Sequence, residues 1–407
     1  MSPGELAAHV LARVPPGQAT VALSGGADSS LLAWALSRRP GVIALTIDHG
    51  LPHSAAMARA ASAVASAVGL DHSIVAVAPR SSSETDLRSV RLSALEANAS
   101  GWIVTGHTAD DVAETVMGNL LRGAGASGMA AIPERRDRYI RPMLDLTRIE
   151  VRRAAHDLGL PFADDPMNDD PAIRRNRLRI ETIPGLAKDY NPELVESLRR
   201  TARLAAQDEA VLARRAETVP IRTDEEAVLI PAAALTTLPT AVAARVVRRA
   251  LRIAAGPGPG DEKTVIAILD VAAGAPPASL CGGLSAIREG PWGALAGPPP
   301  ETPAPQRLPG RGSVRFGPWL IEVGRGRPVP AGDLVVRAAR PGDRIAFEGG
   351  SKRVVDVFRE SCVPVRLRPR WPVVESGGRI AWVVGLRAVP LPPGGSSTSV
   401  AATREAE

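Results

Sequence analysis

Short apolar runs alternate with Ala-rich helical patterns from about residue 20 to 121. Thr20–Leu23, Val42–Ile47, Ser73–Val77 and Trp102–Thr105 read as buried strands, because each is a brief, nearly continuous apolar run. Between them, Ser29–Arg38, Ala55–Val68 and Thr85–Asn98 carry helical spacing, and a fourth helix is expected over Thr108–Leu121. Repeated strand–helix units predict an α/β fold, a parallel sheet with helices on both faces. Ligands of such a sheet collect at the carboxyl ends of its strands.

From Arg148 to Glu217 the pattern is helical and charged, broken by the polar segment 164–179. Pro192 suits a helix first turn and precedes a long amphipathic run. A smaller, helical middle unit follows, with helices over Thr240–Ala254 and Asp261–Ala272. The Pro-rich stretch 297–310 reads as a linker, and the short β-like runs after it as a small mixed α/β domain. The expected division is therefore a catalytic domain with a helical extension (1–217), a middle domain (218–298), a linker (299–312), a C-terminal domain (313–393) and a disordered tail (394–407).

Composition changes this picture little. Net charge is +6, and 46 of the 49 basic residues are arginines, which supports a nucleic-acid partner only weakly because biased codon usage gives the same excess. Cys281 and Cys362 are the two cysteines and form no C-x-x-C pair, which argues against a disulfide framework or a Cys-based zinc site. With no signal-peptide layout and no apolar run of spanning length, the expected location is cytoplasmic, with no membrane partner.

The chemistry starts at Ser24-Gly25-Gly26-Ala27-Asp28-Ser29, between a strand and a helix. Glycines let successive N–H groups turn towards one anion, and the helix N-terminus behind them adds unpaired donors and a positive dipole end. Ser24 and Ser29 can donate hydroxyls to phosphate oxygens, and Asp28 can hold Mg²⁺. A plain turn with a helix cap is the structural alternative. The loop lacks the lysine of the common NTPase loop and the third glycine of the dinucleotide fingerprint.

This signature resembles that of the PP-loop ATP pyrophosphatases, which cleave ATP between the α- and β-phosphates and adenylate a substrate. Further segments resemble tRNA(Ile)-lysidine synthases in particular. They are Thr46–Leu51 with His49, the decapeptide Gly106–Thr115, Arg141-Pro-Met-Leu144, Asp165-Pro-Met-Asn168, Arg175-Asn176-Arg-Leu-Arg179, and stretches beyond residue 335. The chain departs from that pattern at Pro52, Leu92 and Met167. The resemblance implies an adenine-nucleotide α-hydrolase-like fold and a reaction that consumes ATP with Mg²⁺. In it, the wobble cytidine of an isoleucine tRNA with a CAU anticodon is adenylated, and free L-lysine then displaces AMP.

The resemblance also assigns roles. The loop residues 24–29 and His49 would bind ATP, with Asp28, His107 and Asp111 catalytic and Asp111 and Glu114 binding lysine. Asp111 and Glu114 are three apart and share a helix face, although Thr108–Asp111 is equally a capping-box pattern. Arg88, Arg91, Arg122, Arg174, Arg175, Asn176 and Arg179 would contact tRNA, with Arg366 and Arg368 in the C-terminal module. That module carries nine Lys/Arg against four Asp/Glu over residues 335–372. Monomer and homodimer are both open. A tRNA thiolase of the same loop class needs a cysteine near the ATP site, and residues 1–280 have none. An ATP-sensing module would need neither the 107–114 constellation nor the Arg-rich segments, and an amide-forming ligase acting on a small acid, which the loop alone also allows, would be independent of tRNA.

Overall fold

The computed structural model describes all residues except 52–53, 79–80, 82–83, 225, 257, 259, 392–395 and 405–407. Pro52 therefore lies outside the described residues. The chain divides into two compact units, Met1–Val211 and Leu212–Glu407. The boundary falls inside a helix rather than at the expected 217/218.

In the first unit, α1 (Pro3–Arg13) precedes β1 (Ala19–Ala22), α2 (Ala27–Leu36), β2 (Val42–Asp48), α3 (Ser54–Val68), β3 (His72–Ala76), α4 (Glu84–Asn98), β4 (Trp102–Val104) and α5 (Ala109–Leu120). A short α6 (Ala126–Met129), the pair β5 (Arg135–Arg136) and β6 (Tyr139–Ile140), and α7 (Arg148–Asp157) follow. The sheet order is β3-β2-β1-β4-β6-β5, parallel throughout except for the β5–β6 hairpin. The expected strands and helices thus fall within two residues of their predicted ends. Beyond those expectations lie α1, which opens on a Ser2/Glu5 capping box, the short α6 and the β5–β6 hairpin.

Side chains of a strand alternate between faces, and that alternation sorts the core. Ala19, Val21, Ala44 and Val104 pack with α1, α2, α3 and α7, whereas Leu45 and Ile103 turn to the opposite face against Leu95 of α4. Leu92 joins that second cluster, so an apolar residue at this departure is accommodated by packing. Because β1 has β2 on one side and β4 on the other, chain direction diverges between β1 and β4, and a crevice opens at their carboxyl ends.

The polar break is shorter than expected. After a 3₁₀ turn at Pro166–Asp169, α8 (Arg174–Arg177) runs through a π turn at Leu178–Thr182 into α9 (Ile183–Asp189). The long amphipathic α10 (Leu194–Glu217) begins just past Pro192, as its pattern requires.

The second unit corrects three expectations. Its first part is more than helical: α11 (Ala232–Thr237), α12 (Thr240–Ala255) and α13 (Glu262–Ala273) accompany a five-stranded antiparallel sheet. Those strands are β7 (Arg222–Thr223), β8 (Ala227–Pro231), β9 (Ala278–Ser279), β10 (Ser285–Glu289) and β11 (Trp292–Ala296), in the order β7-β8-β11-β10-β9. The Pro-rich stretch is not all linker, since β12 (Gln306–Arg307) already pairs with β15 (Leu334–Ala338). Finally, the tail is not disordered over 397–404. After β13 (Gly312–Phe316) and β14 (Trp319–Pro330), the last strand β21 (Ser397–Arg404) pairs antiparallel along β14. The remaining elements are β16 (Arg344–Phe347), β17 (Gly350–Arg353), α14 (Val354–Glu360), β18 (Pro372–Ser376), β19 (Arg379–Val383) and β20 (Arg387–Ala388).

Val400 of β21 is fully buried in the cluster that holds Phe316 and Ile321. Truncation after Pro393 should therefore lower the unfolding midpoint of the second unit. Val400→Ala should cost about 1–3 kcal/mol, read from urea unfolding of the full chain. Unchanged midpoints in both variants would show that β21 adds nothing to the fold.

Candidate active site

The phosphate loop closes on itself through two hydroxyls. Ser29 donates to the Gly26 carbonyl at 3.0 Å. Its oxygen accepts the Ser24 N–H at 3.1 Å and lies 3.0 Å from the Ser24 hydroxyl, which leaves Ser24 as donor of that contact. Gly25 adopts φ +86°, and a Cβ there would meet the Met57 carbonyl oxygen at 2.4 Å, so glycine is obligatory on two counts. Across the crevice, a Cβ on Gly106 after β4 would lie 2.9 Å from the Asp28 carbonyl oxygen. Gly25 therefore lets the loop after β1 lie against α3, and Gly106 lets the loop after β4 touch the start of α2 at the switch point.

A cavity of about 760 Å³ opens over the loop, its wall including Ser24, Gly26, Asp28, His49 and Arg148. Burial pushes the Asp28 carboxyl up to about 6, although Arg148, at 3.9 Å, opposes the shift. His49 keeps a buried Nδ1 with no hydrogen-bond partner among the described residues, and burial, followed by Arg91, holds its imidazole below the usual range. A second cavity of about 410 Å³ reaches His107 and Asp111. Thr105 Oγ1 lies 2.8 Å from His107 Nδ1, and burial drives the His107 pKa down to about 4, against the pull of Asp111. At neutral pH this imidazole carries no charge.

Asp111 and Glu114 share one face of α5, and both the capping and the functional readings of this segment have a structural basis. Asp111 Oδ2 accepts the Thr108 N–H at 2.8 Å and the Thr108 hydroxyl at 3.2 Å, completing the capping box. Its Oδ1 accepts Arg148 at 3.2 Å and Arg175 at 2.8 Å. Glu114, with a side chain only 2 % exposed, accepts Arg148 at 3.1 Å, Arg175 at 2.8 Å and Arg179 at 2.7 Å. Two buried carboxylates are thus matched by three guanidiniums, as desolvated charges must be.

Several residues assigned to tRNA contact have partners within the protein. Arg175 and Arg179, expected to contact tRNA, have Asp111 and Glu114 as counter-charges. Asn176 is buried, and its Nδ2 donates to the carbonyls of Met167 (2.6 Å) and Asp170 (3.0 Å), so it fastens the 167–170 turn at the wall of the second cavity. Arg366 also departs from its expected role. Its side chain is 6 % exposed and is ion-paired to Glu289 and Asp224 inside the second unit. Arg368 donates its Nε to the Val363 carbonyl at 3.0 Å. Arg88 and Arg91 line both cavities, and Arg122 and Arg174 line a third of about 310 Å³. Arg148 was not singled out from sequence. It follows Thr147 at a Thr147/Glu150 capping box, and its own N–H donates to Asp110 at 2.6 Å.

Residues 5–186 match the family model described as a PP-loop domain, and residues 334–393 match the one described as the TilS substrate C-terminal domain. A tRNA(Ile)-lysidine synthase from Solibacter usitatus is 32% identical over 406 residues, covering 89% of this chain and 92% of the relative. The chain belongs to the tRNA(Ile)-lysidine synthase family. Relatives of the same name from Thermus thermophilus (33% identical; 95% of this chain, 72% of the relative) and Salinispora tropica (42%; 52% and 69%) match as well.

Membership carries ATP use with it and sets a fit test for Mg²⁺. Among the described residues no three acidic, histidine or cysteine side chains group as a metal site. Mg²⁺ on a nucleotide, however, needs only one or two protein carboxylates, because phosphates and waters complete its shell. Asp28 fits that demand: it stands at the phosphate loop, and burial leaves its charge undercompensated. It would hold the ion against the triphosphate.

The His107 shift sets a pH dependence of stability. Between pH 6.5 and about 4 the unfolded chain binds a proton here that the folded chain refuses. The stability contributed by this group is present in full above 6.5 and is lost as pH falls towards 4. His107→Gln should therefore flatten the loss of stability across that window, measured by urea unfolding at stepped pH. An unchanged slope would mean that His107 titrates normally in the folded chain.

Proposed function

We propose that the enzyme joins free L-lysine to the wobble cytidine of an isoleucine tRNA bearing CAU, forming lysidine with release of AMP and diphosphate. The observation that carries this reading is the meeting, at one switch point, of a triphosphate-shaped loop and a paired-carboxylate site suited to an amine.

In the first step the ring carbonyl oxygen of cytidine attacks the α-phosphorus of ATP and diphosphate leaves. The N–H groups of the loop and α2 hold the phosphates in line for that attack, joined by the Ser24 and Ser29 hydroxyls once these turn from their contacts within the loop. Mg²⁺ on Asp28 would neutralise charge building on the diphosphate. In the second step the lysine ε-amine attacks the ring carbon and AMP departs, the nitrogen losing its extra protons as the bond forms. Asp111 orients the amine, replacing one of its arginine contacts with the incoming ammonium, and Glu114 balances the charge. Uncharged His107 lines the same cavity as Asp111 and adds no positive charge against the incoming amine. Arg88, Arg91, Arg122, Arg174 and Arg368 offer backbone contacts to the RNA. The enzyme works in the cytoplasm. No helix among the described residues is long and apolar enough to cross a membrane.

The test is incorporation of labelled lysine into isoleucine tRNA in the presence of Mg-ATP. Incorporation should require ATP and fail when the wobble cytidine is replaced by uridine. Asp28→Ala should abolish it. Arg368→Ala should raise the tRNA Kd several-fold, leave the KM for ATP unchanged, and reduce the salt slope of binding by about one. Normal turnover of the Asp28 variant would overturn the loop assignment.

A further inference from the structure

The third cavity holds a guanidinium that none of the roles above uses. Arg141 directly follows β6, and its Nη1 donates to the Pro133 carbonyl at 2.8 Å. Its guanidinium carbon lies 5.7 Å from the centre of the Tyr139 ring. Its Nε is buried and has no hydrogen-bond partner among the described residues. No described carboxylate pairs with it, and the charged groups that act on it most strongly are two further cations, Arg88 and Arg136. A half-buried cation among cations, with an unspent donor, is short of an anion.

The cavity walls say which end of a ligand that anion would be. Arg141, Arg88, His107 and Arg175 line both the second and the third cavities. Asp111 lines the second and Glu114 the third, so both cavities border the carboxylates that suit an ammonium. Leu92, Leu95 and Tyr139 contribute apolar wall to the second cavity. Carboxylates, apolar wall and an unpaired guanidinium thus border adjoining cavities, the three kinds of group that a lysine molecule calls for.

We propose that Arg141 receives the α-carboxylate of the lysine substrate and so selects an amino acid over a bare alkylamine. The proposal rests on lysine being the nucleophile. Guanidinium suits the task because its planar donors match a carboxylate edge. A phosphate of the bound RNA has the same anionic chemistry, and the experiment separates the two.

The test compares lysine with lysinamide, which keeps the ε-amine and lacks the carboxylate, in the ATP- and tRNA-dependent ligation. Wild-type enzyme should prefer lysine. Arg141→Ala should lower kcat/KM for lysine about 10–100-fold, mainly through KM. The same change should alter lysinamide little, so the preference collapses towards one, while the tRNA Kd measured by filter binding stays fixed. Arg141→Lys, which keeps the charge and most of the volume, should recover part of the preference and serves if the alanine variant does not fold. A preference that survives in both variants overturns the assignment. So does a weakened tRNA Kd with lysine KM unchanged, which points to an RNA phosphate instead. Wild-type ligation with no preference for lysine over lysinamide sinks the Arg141 role alone, whereas no lysine ligation at all sinks the reading beneath it.

Discussion

Two carboxylates cannot be buried side by side on a helix face unless cations are buried with them. Asp111 and Glu114 are so buried, and Arg148, Arg175 and Arg179 answer them from α7, α8 and the π turn beyond it. That single constraint fixes where two otherwise separate segments, α7 and the run from α8 through the π turn, must meet α5. It gives the four-residue helix α8 a reason to be where it is, because so short a helix has little stability of its own. It also ties the amine side of the site to the nucleotide side, since Arg148 reaches Asp28 as well. Removing one partner would leave an uncompensated charge indoors, which is why such clusters behave as units.

The phosphate loop obeys a different constraint, that of space. Gly25 removes a side chain where the loop after β1 lies against α3, and Gly106 removes one where the loop after β4 meets the start of α2, so the two halves of the reaction share one crevice. The sheet order places that crevice where helices diverge to opposite faces, and the chemistry lies there by topology rather than by local sequence. Neutral His107 and the undercompensated Asp28 show the same low-polarity surroundings acting on groups of opposite charge type.

Much of this was legible in the chain. Local patterns marked the four parallel strands, their helices, the loop at 24–29 and the acids at 110–114, because each depends on neighbours in sequence. The arginine cluster was not legible as an ion-pair site, since its partners are 37, 64 and 65 residues away from the acids they meet. Arg366 misled for the same reason, its acids lying at 289 and 224. The strand at 397–404 escaped notice because its residues are small or polar apart from Val400, and its pairing with β14 supplies the order. The sheet of the middle region hid in strands of two to five residues, too short to show a period.

The central claim is that the loop at 24–29 presents the α-phosphorus of ATP to an oxygen of the RNA before any amine enters. Incubating the enzyme with isoleucine tRNA and ATP labelled at the α-phosphate, without lysine, tests it most directly. The account predicts that label joins the tRNA as an adenylate, with diphosphate released, and that added lysine chases it off as AMP. Release of ADP, or label reaching the RNA only from the γ-phosphate, would contradict it.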